Sequence, residues 1–167
     1  MKYIKELDVV RAIAALMVVF NHWVPVDYAI AKIPFGALGV NIFFVLSGFL
    51  ITWILLDNKN KVIEGSTTNG VVVRSFYIRR SLRIFPIYYL AVIVLYILYK
   101  YLHSSTNFSV PYFLTYTSNF YFYKIRTFDA LGSHLWSLAV EEQFYLIWPA
   151  VILFTKRKYL LHVIIGF

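Results

Sequence analysis

From Gly36 to Leu56 the chain runs 21 residues without a charged side chain. As a helix that run is about 30 Å long, the thickness of a bilayer's hydrocarbon core. Such a segment is either the buried centre of a large soluble domain or a membrane span, and the rest of the chain decides between them. Of its 167 residues 60% are hydrophobic and 14% charged, against about 45–50% and about 25% in soluble domains. That is too little charge to cover a wet surface. The same figures exclude intrinsic disorder and a nucleic-acid-binding tail, which need polar, charge-rich chains. With no cysteine, disulfide frameworks, thiolate metal sites and cysteine nucleophiles are excluded as well. What remains is a polytopic helical membrane protein.

Three further runs flank the first. Leu7 to Val26 carries Arg11 and His22 in an otherwise aliphatic stretch. A secretory signal is the rival reading, because Lys2 and Lys5 precede the run and Ala29-Ile30-Ala31 resembles a cleavage site. Glu6, Asp8 and Arg11 intrude where a signal has a clean basic-to-apolar transition, which favours a span. Pro86 to Leu102 ends in a belt of Tyr96, Tyr99 and Tyr101. His134 to Thr155 follows Gly132-Ser133, which suits a helix start, and closes on Lys156-Arg157-Lys158. Asp57 to Asn69 reads as a polar loop. Val110 to Tyr123 is broken by Ser, Thr and Asn and reads as part of an outer loop with a partly buried or re-entrant segment. Arg74 to Phe85 differs again. At about 100° per residue, Arg79, Arg80 and Arg83 share one arc and Ile78, Leu82 and Phe85 the opposite one. That pattern predicts a basic amphipathic helix lying in the membrane interface, with Pro86 as a new helix start or a kink. The expected fold is an all-α transmembrane bundle of four spans and the start of a fifth, plus this interfacial helix.

Net charge is +8, from 16 Lys+Arg against 8 Asp+Glu. Lys2, Lys5, Lys59, Lys61, Arg74, Arg79, Arg80, Arg83, Lys156, Arg157 and Lys158 fall at one set of span ends; Lys32, Lys100, Lys124 and Arg126 fall at the other. This asymmetry puts the amino terminus, the Asp57–Phe85 stretch and the Lys156–Lys158 cluster in the cytoplasm. Anionic membrane lipid is then the partner that the charge implies, and no nucleic acid is needed to explain it. The apolar residues from Tyr159 to Phe167 reach only about 14 Å as a helix, less than half the hydrocarbon core. The expectation is that residues 1–167 are the amino-terminal portion of one longer membrane domain, cut short at its carboxy end.

Several polar residues lie inside these runs, where an ionisable group costs about 2.5–3.5 kcal/mol on insertion scales and so meets a protein interior or water. Arg11 and His22, eleven residues apart, fall about 20° from alignment on one helix face and about 16 Å apart along its axis. Two readings are open: Arg11 and His22 anchor opposite interfaces, or they form an inward polar stripe with a cation at one end and a titratable base at the other. In the fourth span His134, Ser137, Glu141, Tyr145 and Trp148 share a narrow stripe, while Glu142 and Gln143 project elsewhere. Glu141 either pairs with a neighbouring Arg or His and fixes the bundle, or does chemistry. Ser137 is better suited to bonding backbone near the helix start than to acting as a nucleophile. In the second span Asn41, Gly48 and Thr52 share a face with Ser47 beside it, and Gly48 suits close helix packing. The Arg79/Arg80/Arg83 arc fits anionic lipid or the phosphates of a soluble ligand equally well.

Together the stretches LDVVRAIAALMVVFNHW, GVNIFFVLSGFLIT, FYIRRSLRIFPIYYL and WSLAVEEQFYLIWP resemble the integral-membrane acyltransferase 3 family, which includes O-acetyltransferases of bacterial polysaccharides. The blocks occur in the family's order. The family's Arg-(ten residues)-His pattern falls on Arg11 and His22, its Phe-Phe-x-x-Ser-Gly on Phe43, Phe44, Ser47 and Gly48, its Arg-x-x-Arg on Arg80 and Arg83, and its Trp-Ser-x-x-x-Glu on Trp136, Ser137 and Glu141. Asn41 stands where an acidic residue is common. The family has about ten spans, of which this chain would hold four and the start of a fifth.

The resemblance implies a bacterial inner-membrane enzyme with a cytoplasmic acyl-CoA co-substrate, acetyl-CoA or another acyl-CoA, no bound cofactor or metal, and a carbohydrate or other hydroxylated acceptor. It assigns His22 as general base, a role that its ordinary pKa near 6.5 suits, with Glu141 orienting His22 or accepting the proton. Arg80 and Arg83 would dock CoA phosphates and Arg11 would meet the same ligand deeper in the membrane, with Ser47, Trp136 and Ser137 completing the substrate-binding set. An acyl-histidine relay is a second mechanism. A transporter or channel using the intramembrane Arg, His and Glu is the rival class, and a non-catalytic scaffold or inert truncated copy is the third.

Overall fold

The computed structural model describes residues 4–24, 33–101, 108–126 and 132–166, with His22 described by its backbone alone. Among the described residues all regular structure is helical. In chain order the elements are α1 (Lys5–Trp23), α2 (Phe35–Ile63), α3 (Asn69–Tyr101), α4 (Val110–Leu114), α5 (Ser118–Ile125), α6 (Leu135–Phe154), a 3-10 turn (Arg157–Tyr159) and α7 (Leu160–Gly166). Three of them, α2, α3 and α6, are long and apolar enough to cross a membrane. The sequence pattern predicted four spans. The difference is α1, whose 19 residues include Lys5, Glu6, Asp8 and Arg11; the predicted run's last residues, Pro25 and Val26, lie outside the described set.

Two other expectations change. The polar stretch after Leu56 is not a loop from Asp57 onward: α2 continues to Ile63. It ends in a paired-hydrogen-bond cap in which the Gly65 N–H bonds to the Val62 carbonyl at 3.1 Å and the Ser66 N–H to the Lys61 carbonyl at 3.0 Å. Gly65 supplies the left-handed residue that this cap requires, at φ +76°. Nor is the basic segment an independent interfacial helix. Arg74 to Phe85 is the first half of α3, an unbroken helix of 33 residues with Pro86 inside it. Proline removes one backbone donor, and the helical bonds on either side carry the segment through, as in many membrane helices.

The chain divides into two compact units, Met1–Asp57 and Asn58–Phe167. In the first, α1 and the start of α2 approach closely at Gly39. A Cβ there would stand 2.7 Å from the Ala14 carbonyl oxygen and 2.8 Å from Val18 Cγ2, so only glycine fits. Gly48, which the sequence singled out for packing, has open space where its Cβ would be.

In the second unit, α3 and α6 run antiparallel. The Tyr77 hydroxyl donates to the Leu146 carbonyl at 2.6 Å, while Tyr88 shares a core with Leu135 and Ala139. The two short helices α4 and α5 are below the length that is stable alone. Tertiary burial holds them: Phe113, Tyr116, Tyr121 and Phe122 are buried against Tyr88 and Val92 of α3. Tyr88 stacks on Tyr116 at 4.1 Å and Phe108 on Phe113 at 4.4 Å. The Val110–Tyr123 segment is thus partly buried, as its mixed composition suggested.

Candidate functional site

Two groups of polar side chains can be described, one in each unit. In the first unit α1 is one continuous helix, so Arg11 and His22 do lie on a common helix about 16 Å apart along its axis. Arg11 pairs with Asp8 at 3.3 Å, one turn earlier, and both side chains are partly exposed. The His22 side chain lies outside the described residues. Ser47 is half-buried on α2, beside Gly48, whose carbonyl accepts a 2.6 Å hydrogen bond from the Thr52 hydroxyl.

The second unit brings together residues that the sequence placed in separate blocks. From α3, the Arg80 guanidinium lies over the Tyr145 ring of α6, 3.3 Å from its centroid, and 4.0 Å from Glu141 Oε1. The Tyr145 hydroxyl donates to the same Glu141 oxygen. Residues 141 and 145 are one helical turn apart, so one face of α6 presents a carboxylate and an aromatic ring to a single cation. This arrangement combines an ion pair with a cation–π contact, and the two charged side chains are 22% and 24% exposed. Arg83, one turn further along α3, is exposed, as is Arg79. The three arginines therefore do not act as one set: Arg80 turns toward α6, and Arg79 and Arg83 stay on the outer surface.

Trp136 is half-buried against the aromatic core. Ser137 donates to the His134 carbonyl at 3.1 Å, the backbone role expected for a serine in a first helical turn. Among the described residues no group of three or more His, Asp or Glu could hold a metal ion.

Four residues that sequence reasoning did not assign also shape this region. Gln143 donates to the Tyr116 carbonyl at 2.8 Å and exchanges two hydrogen bonds with the Asn119 amide, at 2.9 and 3.2 Å. Glu142 interacts electrostatically with Arg80 and Glu141. Tyr116, in the connection between α4 and α5, has φ +53°. Burial holds its phenol protonated well above the usual range, with Tyr89 and Glu142 adding to the effect. At the far end of α6, Lys59 of α2 is buried and donates to the carbonyls of Ile152 at 2.8 Å and Leu153 at 3.2 Å, and to that of Thr155. It caps the helix's unpaired carbonyls and places a cation at the negative end of its dipole. The only sequence signal for Glu142 was its adjacency to Glu141; Lys59 gave none, since a lysine three residues past an apolar run reads as solvated.

The comparisons with known proteins agree with the motif blocks. The acyltransferase domain model matches residues 4–167. The peptidoglycan O-acetyltransferase OatA of Listeria monocytogenes is 37% identical over 99% of this chain and 27% of its own length. YrhL of Bacillus subtilis, a provisional peptidoglycan O-acetyltransferase, is 40% identical over 89% of this chain and 23% of its own. A provisional O-acetyltransferase of Staphylococcus aureus is 33% identical over 95% and 27%. The chain thus spans about a quarter of the length of these curated relatives. No solved structure matches. With the family model covering all but the first three residues, and Arg11, His22, Arg80, Arg83 and Glu141 in the family's order, the chain belongs to the integral-membrane acyltransferase 3 family.

Proposed function

We propose that this chain serves in a membrane O-acetyltransferase that takes an acetyl group from cytoplasmic acetyl-CoA and delivers it to a hydroxyl of a carbohydrate acceptor, of the kind found in peptidoglycan. The observation that carries the reading is the match over residues 4–167, together with relatives named as O-acetyltransferases that align with nearly the whole chain. The enzyme sits in the bacterial inner membrane with its amino terminus in the cytoplasm, a reading supported by the Lys/Arg asymmetry.

The chemistry asks for a base, a phosphate-binding cation and a group that holds the site's charge balance. His22 takes the proton from the acceptor hydroxyl as its oxygen attacks the thioester carbonyl carbon. The carbon–sulfur bond breaks, and the CoA sulfur leaves with the proton returned from His22. Arg83, exposed on α3, binds CoA phosphate, and Arg11 supports the same ligand from α1. Glu141 is the carboxylate of the mechanism. Its contact with Arg80 and Tyr145 holds it in one direction, so that it orients the base or takes up the proton.

The test uses membranes from cells expressing the protein from its own gene. His22→Ala lowers acetyl transfer by about 10²–10⁴ while retention of radiolabelled acetyl-CoA by the membranes is unchanged. Arg83→Ala weakens that retention. Transfer at the parental rate by His22→Ala overturns the assignment.

A further inference from the structure

Arg79 has no task in the acyl-transfer reading, yet its surroundings match those of Arg83. Both are exposed. They stand four residues apart on one unbroken helix, about 40° from each other around its axis, with Cβ atoms about 5–6 Å apart. Among the described residues neither side chain has an ion pair, a hydrogen bond or a ring contact. Like charges at this spacing repel each other, and no described carboxylate pairs with either to offset it.

The family's Arg-x-x-Arg pattern would join Arg83 to Arg80 instead. The structure separates those two. The Arg80 guanidinium is 3.3 Å from the centre of the Tyr145 ring, 6.0 Å from that of Phe76 and 4.0 Å from Glu141 Oε1. One of its faces is taken by a ring and a carboxylate lies beside it, so it is engaged between α3 and α6. Arg79 stands in its place next to Arg83 on the outer surface.

The position along α3 suits a ligand met at a water boundary. From Ile84 to Tyr99 the helix carries no charged residue, so Arg79 and Arg83 stand where its apolar half ends. A guanidinium is a rigid planar fork of N–H donors that matches phosphate oxygens two at a time. Two forks side by side fit phosphate groups that are themselves neighbours, as in a diphosphate or in adjacent lipid headgroups.

We propose that Arg79 and Arg83, rather than Arg80 and Arg83, form a two-arginine phosphate-binding site on α3. Two sources carry that chemistry. One is the diphosphate of coenzyme A, which rests on the acetyl-transfer reading. The other is the headgroup layer of anionic phospholipid, which does not.

The first arm of the experiment measures binding of coenzyme A itself, which has no acetyl group to transfer. The protein is expressed from its own gene and held in phosphatidylcholine nanodiscs, where no anionic lipid competes. Arg79→Gln and Arg83→Gln should each weaken binding about three- to tenfold, the worth of a partly solvated charged contact. Arg79→Lys keeps the charge, loses the fork and should fall between. Arg74→Gln is the control. It removes an exposed arginine of α3 that lies about 140–180° around the helix from the pair. The second arm uses discs of equal phosphatidylglycerol and phosphatidylcholine and reads the retained lipids by native mass spectrometry. Weakened coenzyme A binding with unchanged lipid preference assigns the site to the soluble ligand. Lost preference for phosphatidylglycerol with unchanged coenzyme A binding assigns it to lipid, and leaves the site standing while removing the donor contact from the acetyl-transfer reading. Loss of both shows one site that either source fills. Arg79→Gln with no larger effect than Arg74→Gln on either ligand, at the parental melting temperature, overturns the site. So does a larger loss in Arg80→Lys than in Arg79→Lys, two variants that both keep their charge.

Discussion

Replacing Lys59 with methionine tests whether the end of α6 is held by a single buried ammonium. Methionine keeps most of the apolar stem and removes the charged head, so the carbonyls of Ile152, Leu153 and Thr155 lose one shared donor at once. Hydrogen bonds to a charged group contribute about 1.5–3 kcal/mol each. Three bonds from one nitrogen do not sum, and the lysine's own desolvation opposes them. About 2–4 kcal/mol of local stability is the expected loss, or roughly 30- to 700-fold in the opening equilibrium. The chain has no cysteine, so one can be introduced at Leu153, which is buried, and its thiol labelled in nanodiscs under native conditions. Labelling of Leu153→Cys should accelerate by that factor in Lys59→Met. It should recover in part in Lys59→Arg, whose longer, planar head fits the three carbonyls less well. The exposed neighbour Lys61 provides the control, because surface substitutions stay within about 0.5 kcal/mol. Labelling rates within threefold of each other for Lys59→Met and Lys61→Met would refute the cap.

Two further outcomes follow from the packing and the ion pair. Gly39→Val should destabilise the protein by at least about 1–3 kcal/mol, since its Cβ meets the Ala14 carbonyl, whereas Gly48→Ala, with open space at its Cβ, should stabilise by about 0.5–1 kcal/mol; melting temperatures in detergent decide both. Arg80→Met should cost about 1–3 kcal/mol, less than a fully buried pair because both charges are about a quarter exposed, and Arg80→Met with Glu141→Gln should cost less than the sum of the single changes; strict additivity in the double-mutant cycle would show that the two side chains do not interact.

The parts of this fold legible in the sequence are those set by hydrophobic run length. Gly36–Leu56 falls in a helix long and apolar enough to span, as do residues 86–101 of the run Pro86–Leu102 and residues 135–154 of the run His134–Thr155. What escaped was where helices stop once they leave the apolar run. Asp57 to Ile63 is polar, yet it continues α2 until Gly65 provides a left-handed cap. Proline at position 86 suggested a boundary, yet α3 passes through it. Run length measures the membrane's demand on a helix and says nothing about how far beyond it the helix extends. The candidate site divides the same way. The stripe on α6 follows from 3.6-residue periodicity, and the Tyr145–Glu141 hydrogen bond confirms it. The partner of Glu141 could not be found that way, because it depends on the α3–α6 register.

That register changes what the arginine pair means. Tyr77 bonds at Leu146 and Tyr88 packs near Leu135 and Ala139, so Arg80 falls beside Glu141 and Tyr145, about 9 Å inside the start of α6. As part of a separate interfacial helix, Arg80 and Arg83 would be equivalent anchors for phosphate or lipid. On a continuous α3 they are not equivalent. Arg83 is exposed, which suits the phosphate-binding role proposed for it. Arg80 is committed to a carboxylate and an aromatic face within the body of the unit. An ion pair in such a place is weak evidence for stability, because well-packed apolar side chains of the same size do as well or better. In the acyl-transfer reading proposed above, its worth would lie in fixing the direction of Glu141, because a carboxylate held in one orientation suits the handling of a proton better than a freely rotating one.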